Sequence, residues 1–351
     1  MLLAAACGQR GGGPSGAASS ALLSAPSGGP SAAASEVASA PPAVDDETDP
    51  PPALTFAEQR GQLYAAMKNK RHMSEDELSA VKEIVEASPL LGQGRPDDTT
   101  HPITRAACRA IRRAAKVVDA DPRCGKPNMV PIYDPTRGET KETAKLCIDQ
   151  FEFPNIPCEY PVTYATSRES ALLCKAVGER LCDAHEWEGA CAGAVHSIES
   201  EYHFDAPRNY ATYLHNKERE IVWAYGPTED PTLCAEAGEK SPRCDATGLV
   251  HCGSNTYPAG SFPKCVSVFG VYDQHGNAAE HMNLPLKPEE LMSRGGAGQT
   301  EMKGSWFASG RTKLYEDDCR WRAKDWHPST LMTENSHRNY HLGFRCCRDV
   351  P

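Results

Sequence analysis

Residues 178–193 read GERLCDAHEWEGACAG, and this stretch decides the fold. The letters DAHE at 183–186 have the spacing of a capping box, in which residues three apart exchange side-chain and backbone hydrogen bonds. They predict a helix that begins after Asp183. A second capping box, TSRE at 166–169, predicts another helix that ends near Gly178. The stretch therefore predicts two short helices joined by a tight connection.

Five more blocks accompany this stretch along the chain. They are CIDQFEFPN at 147–155, WAYG at 223–226, GSFP with FGVYDQHGN at 260–263 and 269–277, GSW at 304–306, and GFRC at 343–346. In this order the blocks resemble those of sulfatase-modifying-factor domains, the family that includes formylglycine-generating enzymes. Each block is short, so the resemblance depends on their common order, and it extends from about residue 145 to residue 351.

The resemblance implies an irregular α+β fold related to C-type lectins, with little regular secondary structure and with bound calcium. Formylglycine-generating enzymes use copper(I) and dioxygen to oxidise a cysteine of a sulfatase. Related branches are sulfoxide synthases, which add a separate iron-binding domain, and a pyoverdine-maturation protein. The resemblance thus implies the fold, whereas the activity depends on which ligands this chain retains.

Copper(I) is a soft ion that prefers thiolate ligands, so the oxidase needs two cysteines close together. In the family these cysteines follow the GGS[WY] block, at places that hold Ala308 and Lys313 here. Cys319 could occupy the second place if a loop insertion is allowed, which makes it the candidate catalytic residue. The alternative for Cys319 is a structural disulfide, and we favour it, so copper is a doubtful cofactor.

Calcium binds hard oxygen ligands from carboxylates, amides and backbone carbonyls. The resemblance of HGN-x-x-E to the family block implies that Asn277 and Glu280 bind calcium, with a backbone carbonyl nearby. It also implies that Asp245 stands near a ligand position of a second site. The alternative is that Asn277 only shapes the turn after Gly276 and that Glu280 is an exposed carboxylate.

Cysteine is the strongest compositional signal. The chain has 15 cysteines, and none of them forms a C-x-x-C pair, so zinc ribbons and thioredoxin-like motifs lose their usual signature. After Cys7, 14 cysteines remain, which can form seven disulfides. Cys346 and Cys347 are adjacent, so we expect each to bond a distant partner. Such a framework predicts an oxidising compartment, and the alternative is a cytosolic protein with reduced cysteines.

The N-terminus supports export independently. Residues 1–7, MLLAAAC, resemble the last part of a bacterial lipoprotein signal, in which small residues precede the cysteine that is lipidated. We expect a truncated signal with lipidated Cys7, followed by a disordered Gly/Ser/Ala/Pro tether over residues 8–53. The prediction is an extracytoplasmic protein that is lipid-anchored to the bacterial envelope.

A helical region is predicted over residues 54–120, ahead of a sulfatase-modifying-factor-like domain over residues 121–351. Its first two helices follow the capping boxes TFAE at 55–58 and SEDE at 74–77. The third is predicted over 103–118, with Cys108 facing inward and its arginines outward, as a solvated face. These arginines are Arg105, Arg109 and Arg112. From residue 121 onward the sequence predicts only the two clear helices described above.

The charge balance restricts the partners. The net charge is −10, whereas a protein that binds nucleic acid needs a concentrated basic surface. We therefore expect no nucleic acid partner and contact with a membrane only through the lipid anchor. The favoured function is a calcium-stabilised domain that binds a protein, peptide or glycan in the cell envelope. The alternatives are a metal-dependent oxidase acting on a protein or peptide thiol, and a scaffolding lipoprotein.

Overall fold

The computed structural model describes residues 48–51, 53, 55–93, 101–115, 117, 120–239, 255–296, 298–311, 316–323 and 329–351, with the backbone alone at 293–296 and 311. Cys7, the predicted tether up to residue 47, Asp245 and Lys313 lie outside the described residues. Among the described residues, no helix combines the length and the apolar character that crossing a bilayer requires.

Short helices and strands alternate with long loops. The helices are α1 (Phe56–Lys70), α2 (Glu75–Ala87), α3 (Arg105–Ala114), α4 (Ser167–Ala176), α5 (Ala184–Ala192), α6 (Ile198–Glu201) and α7 (Arg208–Glu218). The strands are β1 (Gly92–Gln93), β2 (Met129–Ile132), β3 (Leu146–Asp149), β4 (Val162–Thr163), β5 (Arg180–Leu181), β6 (Ala279–Leu284), β7 (Gln299–Lys303), β8 (Leu342–Phe344) and β9 (Cys346–Asp349). The predicted mixed α+β fold with little regular secondary structure is confirmed.

The strands form three small sheets whose order is not the order of the chain. The largest sheet has the order β2-β3-β9-β5, and all its neighbours are antiparallel. The second has the order β7-β6-β8, in which β6 and β8 are parallel, and β1 pairs with β4. The C-terminal strand β9 therefore lies between β3 and β5, which joins the last block of the sequence to the first two.

The capping boxes identified in the sequence form as predicted. In α1 the Thr55 hydroxyl accepts from the Glu58 N–H, and α2 and α4 begin with the same reciprocal pair. At α5 the Asp183 N–H donates to the Glu186 carboxylate at 2.8 Å. The helix α7 was not predicted, because its sequence RNYATYLHNKE has no apolar stripe from which a helix could be recognised.

The prediction for α3 was wrong in its length and in its exposed face. The helix ends at Ala114, and Arg105 is buried, with its guanidinium 2.6 Å from the Glu159 carboxylate. Arg112 lies over the rings of Phe151 and Tyr272, at 4.8 Å from each centroid. These carboxylate and aromatic partners come from distant parts of the chain, so helical periodicity could not reveal them.

The N-terminal helices share a core with the rest of the described chain. Leu63 of α1 and Val81 of α2 pack in the same apolar cluster as Leu173 of α4 and Phe344 of β8. At the end of α1, the buried Arg71 reaches the Glu179 carboxylate at 2.6 Å. The segments predicted on either side of residue 120 thus pack together, and their described residues belong to one compact unit.

Disulfides pin the loops, as the cysteine content predicted. Among the described residues six bonds form, which are Cys108–Cys158, Cys124–Cys147, Cys174–Cys346, Cys182–Cys347, Cys191–Cys319 and Cys234–Cys265. The adjacent cysteines of β9 each bond a distant partner, which confirms the prediction for that pair. Cys244 and Cys252 lie outside the described residues.

The long-range bond at β9 should contribute less to stability than its sequence separation suggests. Cys174 and Cys346 are 172 residues apart, but the bond between Cys182 and Cys347 already joins the same two segments. With that bond intact, the loop that Cys174 and Cys346 close holds only about 10 residues (174–182 and 346–347), whereas Cys124 and Cys147 are 23 apart. From loop-closure entropy, replacing the first pair with alanine should lower the free energy of unfolding by about 2.7 kcal/mol and replacing the second by about 3.5 kcal/mol. Urea denaturation of the two double variants measures both losses. A loss of about 5 kcal/mol in the variant that lacks Cys174 and Cys346 would contradict the expectation.

Candidate functional site

Helix α5 is held by buried charges and presents Cys191 to the interior. Glu188 accepts from Arg322 through both carboxylate oxygens at 2.8 Å and from Lys303 at 3.0 Å. Burial alone would raise the pKa of Glu188, but the charges of Arg322 and Lys303 outweigh it and hold that pKa below its usual range. Because removing one member of such a network leaves an uncompensated charge, the orientation of α5 depends on it.

The α5 cysteine forms a buried disulfide beside a histidine. Cys191 and Cys319 are bonded, and neither is more than 2% exposed. The His275 Nε2 atom lies 3.3 Å from the Cys191 Sγ and 3.7 Å from the Cys319 Sγ. The structure therefore joins the sequence candidate Cys319 to two residues that sequence reasoning did not single out. We call these three residues the sulfur–histidine centre.

His275 is neutral at this position. Burial lowers its pKa to about 4, and its Nε2 atom accepts a hydrogen bond from the Ala224 N–H at 3.1 Å. The proton of the neutral ring therefore lies on Nδ1, which has no hydrogen-bond partner among the described residues. A neutral imidazole has a lone pair that can bind a soft or borderline metal, but a disulfide sulfur carries no thiolate charge to share that role.

Ala308, which the family resemblance places at the first copper ligand, is a buried alanine. Ala308 is 6% exposed and packs with Trp306, Phe307 and Tyr340 in an apolar cluster. Alanine has no atom that can bind copper. The described structure thus provides no second thiol near Cys319 other than its own disulfide partner, Cys191.

A comparison with known protein families agrees with the sequence blocks and with the fold described above. Residues 99–350 match the family described as the sulfatase-modifying factor enzyme 1-like domain. The chain belongs to this family. The match begins before α3, so the family domain includes the last helix of the segment predicted as a separate helical region.

One curated protein shows a further, partial similarity. An atromentin synthetase of Suillus grevillei is 33% identical over 94 residues, which are 26% of this chain and 10% of that protein. The chain thus matches about a tenth of the length of that relative. A similarity of this extent does not transfer the activity named for that protein to this sulfatase-modifying-factor domain.

The oxygens of the predicted calcium ligands already have protein partners. Glu280 is fully buried; its Oε1 accepts from Arg345 Nη2 at 2.6 Å, and its Oε2 accepts from Arg345 Nε at 2.7 Å and from Trp187 Nε1 at 2.9 Å. Asn277 accepts from the Tyr257 N–H at 2.7 Å. Glu280 and Asn277 on their own therefore do not fit a calcium ion, and the assignment of these ligands stays a prediction.

Two carboxylates that sequence reasoning missed change this assessment. Glu152 and Asp273 are buried near Glu280, and the Glu152 Oε2 atom has no hydrogen-bond partner among the described residues. Burial, and then the charge of Asp273, raises the pKa of Glu152 well above its usual range, and burial raises the pKa of Asp273 to about 6. We call Glu152, Asp273 and Glu280 the carboxylate cluster. The orphaned oxygen can bind a hard cation, but the described groups of three possible ligands that lie within 4.8 Å of one another do not include this cluster.

A further buried acid lies where the Gly304–Trp306 block meets the loop after α7. Glu236 is 4% exposed, and its Oε2 atom accepts from the Ser309 hydroxyl at 3.0 Å. Burial, and then the charge of Asp317, raises the pKa of Glu236 to about 7. No sequence pattern pointed to Glu236 as a buried acid, because it lies in no family block and looks like any other carboxylate in a loop.

Glu236 should make the stability of the fold depend on pH. Because its pKa is higher in the folded chain than the ordinary value of 4.5, the folded state binds its proton more tightly. Stability is therefore lost as the pH rises through about 7. The Glu236→Gln variant should remove a decline on the order of 2 kcal/mol between about pH 5 and pH 8. Urea denaturation at several pH values measures it, with exposed Glu220→Gln as the control. A variant with the same pH dependence as the parent would contradict this assignment.

Proposed function

We propose that this chain is a calcium-stabilised binding domain of the sulfatase-modifying-factor family that lacks copper-dependent formylglycine-generating activity. The observation that carries the proposal is the buried bond between Cys191 and Cys319. The ligands of copper(I) in that chemistry are two thiolates, and here the candidate thiol is already oxidised. The other family position holds Ala308, which offers no ligand.

The proposed location is outside the cytoplasm, on a lipid anchor at Cys7. Six disulfides among the described residues favour an oxidising compartment, since glutathione and thioredoxin keep most cytosolic thiols reduced. The MLLAAAC start supports a lipidated cysteine in the bacterial envelope, and the Gly/Ser/Ala/Pro segment that follows would act as its tether. The proposed partner is a protein, peptide or glycan in that compartment.

Calcium is proposed at the carboxylate cluster rather than at the predicted pair alone. Glu152 and Asp273 would supply hard oxygens, and Glu280 would contribute charge while it stays bonded to Arg345. When bound, the ion would offset the mutual repulsion of buried carboxylates and hold the loop that carries Asp273 against the block that carries Glu152.

Removal of calcium should destabilise the chain through Glu152. Adding calcium to chelator-treated protein should raise the free energy of unfolding by about 2.7 kcal/mol at a hundredfold excess over the dissociation constant. The Glu152→Gln variant should lose most of this gain. In chelator it should be at least as stable as the parent, because one buried carboxylate fewer remains.

Differential scanning calorimetry with and without calcium measures these differences, and exposed Glu220→Gln is the matched control. If Glu152→Gln responded to calcium as fully as the control, the ion would not bind at the carboxylate cluster.

A second candidate function, a metal-dependent oxidase acting on a protein or peptide thiol, has one specific observation in its favour. In the bonded structure the two sulfurs and a ring nitrogen of His275 lie within 4.8 Å of one another, so reduction would leave two thiols beside this imidazole. Such a set of soft and borderline donors suits a transition metal. The second candidate therefore requires that Cys191 and Cys319 be thiols in the working protein.

Disulfide mapping distinguishes the two functions. In protein isolated from an oxidising compartment and alkylated without reductant, peptide mass mapping should recover Cys191 and Cys319 as one bonded pair. Metal analysis of the same sample should find no stoichiometric copper, and copper(I) should stimulate no oxygen uptake with a thiol peptide. Alkylated Cys319 with one copper per chain would overturn the proposal in favour of the oxidase.

A further inference from the structure

A surface groove lies between helices α2 and α4. It has a volume of about 770 Å³, and its apolar lining includes Ile84 of α2 with Leu172 and Ala176 of α4. These three side chains are half-buried, and Ile84 and Ala176 pack on the apolar cluster below. The groove is large enough for several side chains of a bound peptide.

One wall of this groove lies outside the residues that match the family. The family match begins at residue 99, whereas α2 spans Glu75–Ala87. The opposite wall, α4, lies within the matched region. The groove therefore exists because this chain packs its N-terminal helices on the domain. It is distinct from the sulfur–histidine centre, the carboxylate cluster and the Glu236 site.

The rim of the groove carries more acid than base. Its carboxylates are Asp76, Glu77, Glu83, Glu169 and Glu334, and its cations are Arg168 and Lys175. Several of these charges pair within the chain, since Lys126 reaches Glu77, Arg168 reaches Glu334 and Arg338 lies near Glu169.

Two of the rim carboxylates are free to meet a partner. Asp76 and Glu83 are exposed on α2 and form no ion pair with the described residues. An apolar floor beside unpaired carboxylates complements a segment that has apolar residues on one face and lysine or arginine at its edge. Helices with such a face bind grooves between two helices through side chains at i, i+3, i+4 and i+7.

We propose that the groove between α2 and α4 binds a basic amphipathic helix of a partner protein. Apolar side chains of the partner would contact Ile84 and Leu172, and its cations would lie against Asp76 and Glu83. The inference rests on the proposed binding role and specifies the class of partner and the surface it contacts. Because the cations meet exposed carboxylates, the interaction should weaken as salt is added.

The test uses the full chain and two fluorescein-labelled peptides of about 14 residues, which match α2 in length. Both carry leucine at helical spacing, and their polar positions hold lysine in one peptide and glutamate in the other. Fluorescence anisotropy should show saturable binding of the lysine peptide, with one peptide per chain. The glutamate peptide should bind at least about tenfold more weakly, because its charges repel those of the rim.

Charge reversal at the rim identifies the surface. The double variant Asp76→Lys with Glu83→Lys should weaken the binding of the lysine peptide by about tenfold or more. The matched control is Glu218→Lys with Glu220→Lys, which makes the same change in net charge at the end of α7. All four positions are exposed, so circular dichroism should show that both variants fold.

Two results would overturn the inference. One is that the lysine peptide fails to bind in a saturable manner; the other is that the rim variant and the α7 variant bind it equally. Neither result bears on the disulfide state of Cys319 or on calcium. The groove can therefore fail while the proposed function stands, and the detection of copper would remove the proposed function without changing the peptide result.

Discussion

The buried pair of Arg345 and Glu280 holds the blocks of this fold together. Glu280 lies in β6 and also accepts from the Trp187 indole of α5, while Arg345 stands between β8 and β9. The remaining guanidinium hydrogens point at the backbone oxygens of Asp149, Gln150 and Tyr272. Through these contacts, one ion pair joins the blocks at 178–193, 260–277 and 343–346 to the block at 147–155. Breaking it would leave a buried charge without a partner, at a cost on the order of 3–5 kcal/mol.

The disulfides act in the same region and complement this pair. Strand β9 follows Arg345 directly, and its two cysteines bond Cys174 of α4 and Cys182 beside β5. The cross-links restrict the unfolded chain, whereas the ion pair selects one arrangement of the folded chain. Together they explain how a domain with two- to six-residue strands keeps long polar loops in place, which hydrophobic burial alone would not order.

The same organisation places two candidate sites in different parts of the interior. The neutral His275 and the Cys191–Cys319 bond occupy the interior beside α5, and the carboxylate cluster lies around the Arg345 pair. The first arrangement supports a structural role for sulfur, and the second supports a hard cation. The groove between α2 and α4 lies apart from both, and one of its two helices, α2, precedes the family match.

Local signals in the sequence were sufficient for the elements whose cause is local. The capping boxes located the starts of α1, α2, α4 and α5, because the bonds that form them join residues three apart. Local signals did not predict features that depend on contacts between residues far apart in the chain. Arg105 and Arg112 were predicted as part of a solvated face, but Arg105 is buried against Glu159, and Arg112 is half-buried over the rings of Phe151 and Tyr272.

By itself, the sequence determined the family and predicted an oxidised cysteine framework and an alanine, Ala308, at a place where the family resemblance implies a thiol, since each depends only on which residues are present and in what order. The tertiary structure decided which cysteine bonds Cys319 and that Arg345 forms an ion pair with Glu280. It also brought the buried carboxylates of Glu152 and Asp273 into electrostatic interaction. Each of these depends on contacts between residues far apart in the chain, and such contacts exist only after the loops are packed and cross-linked.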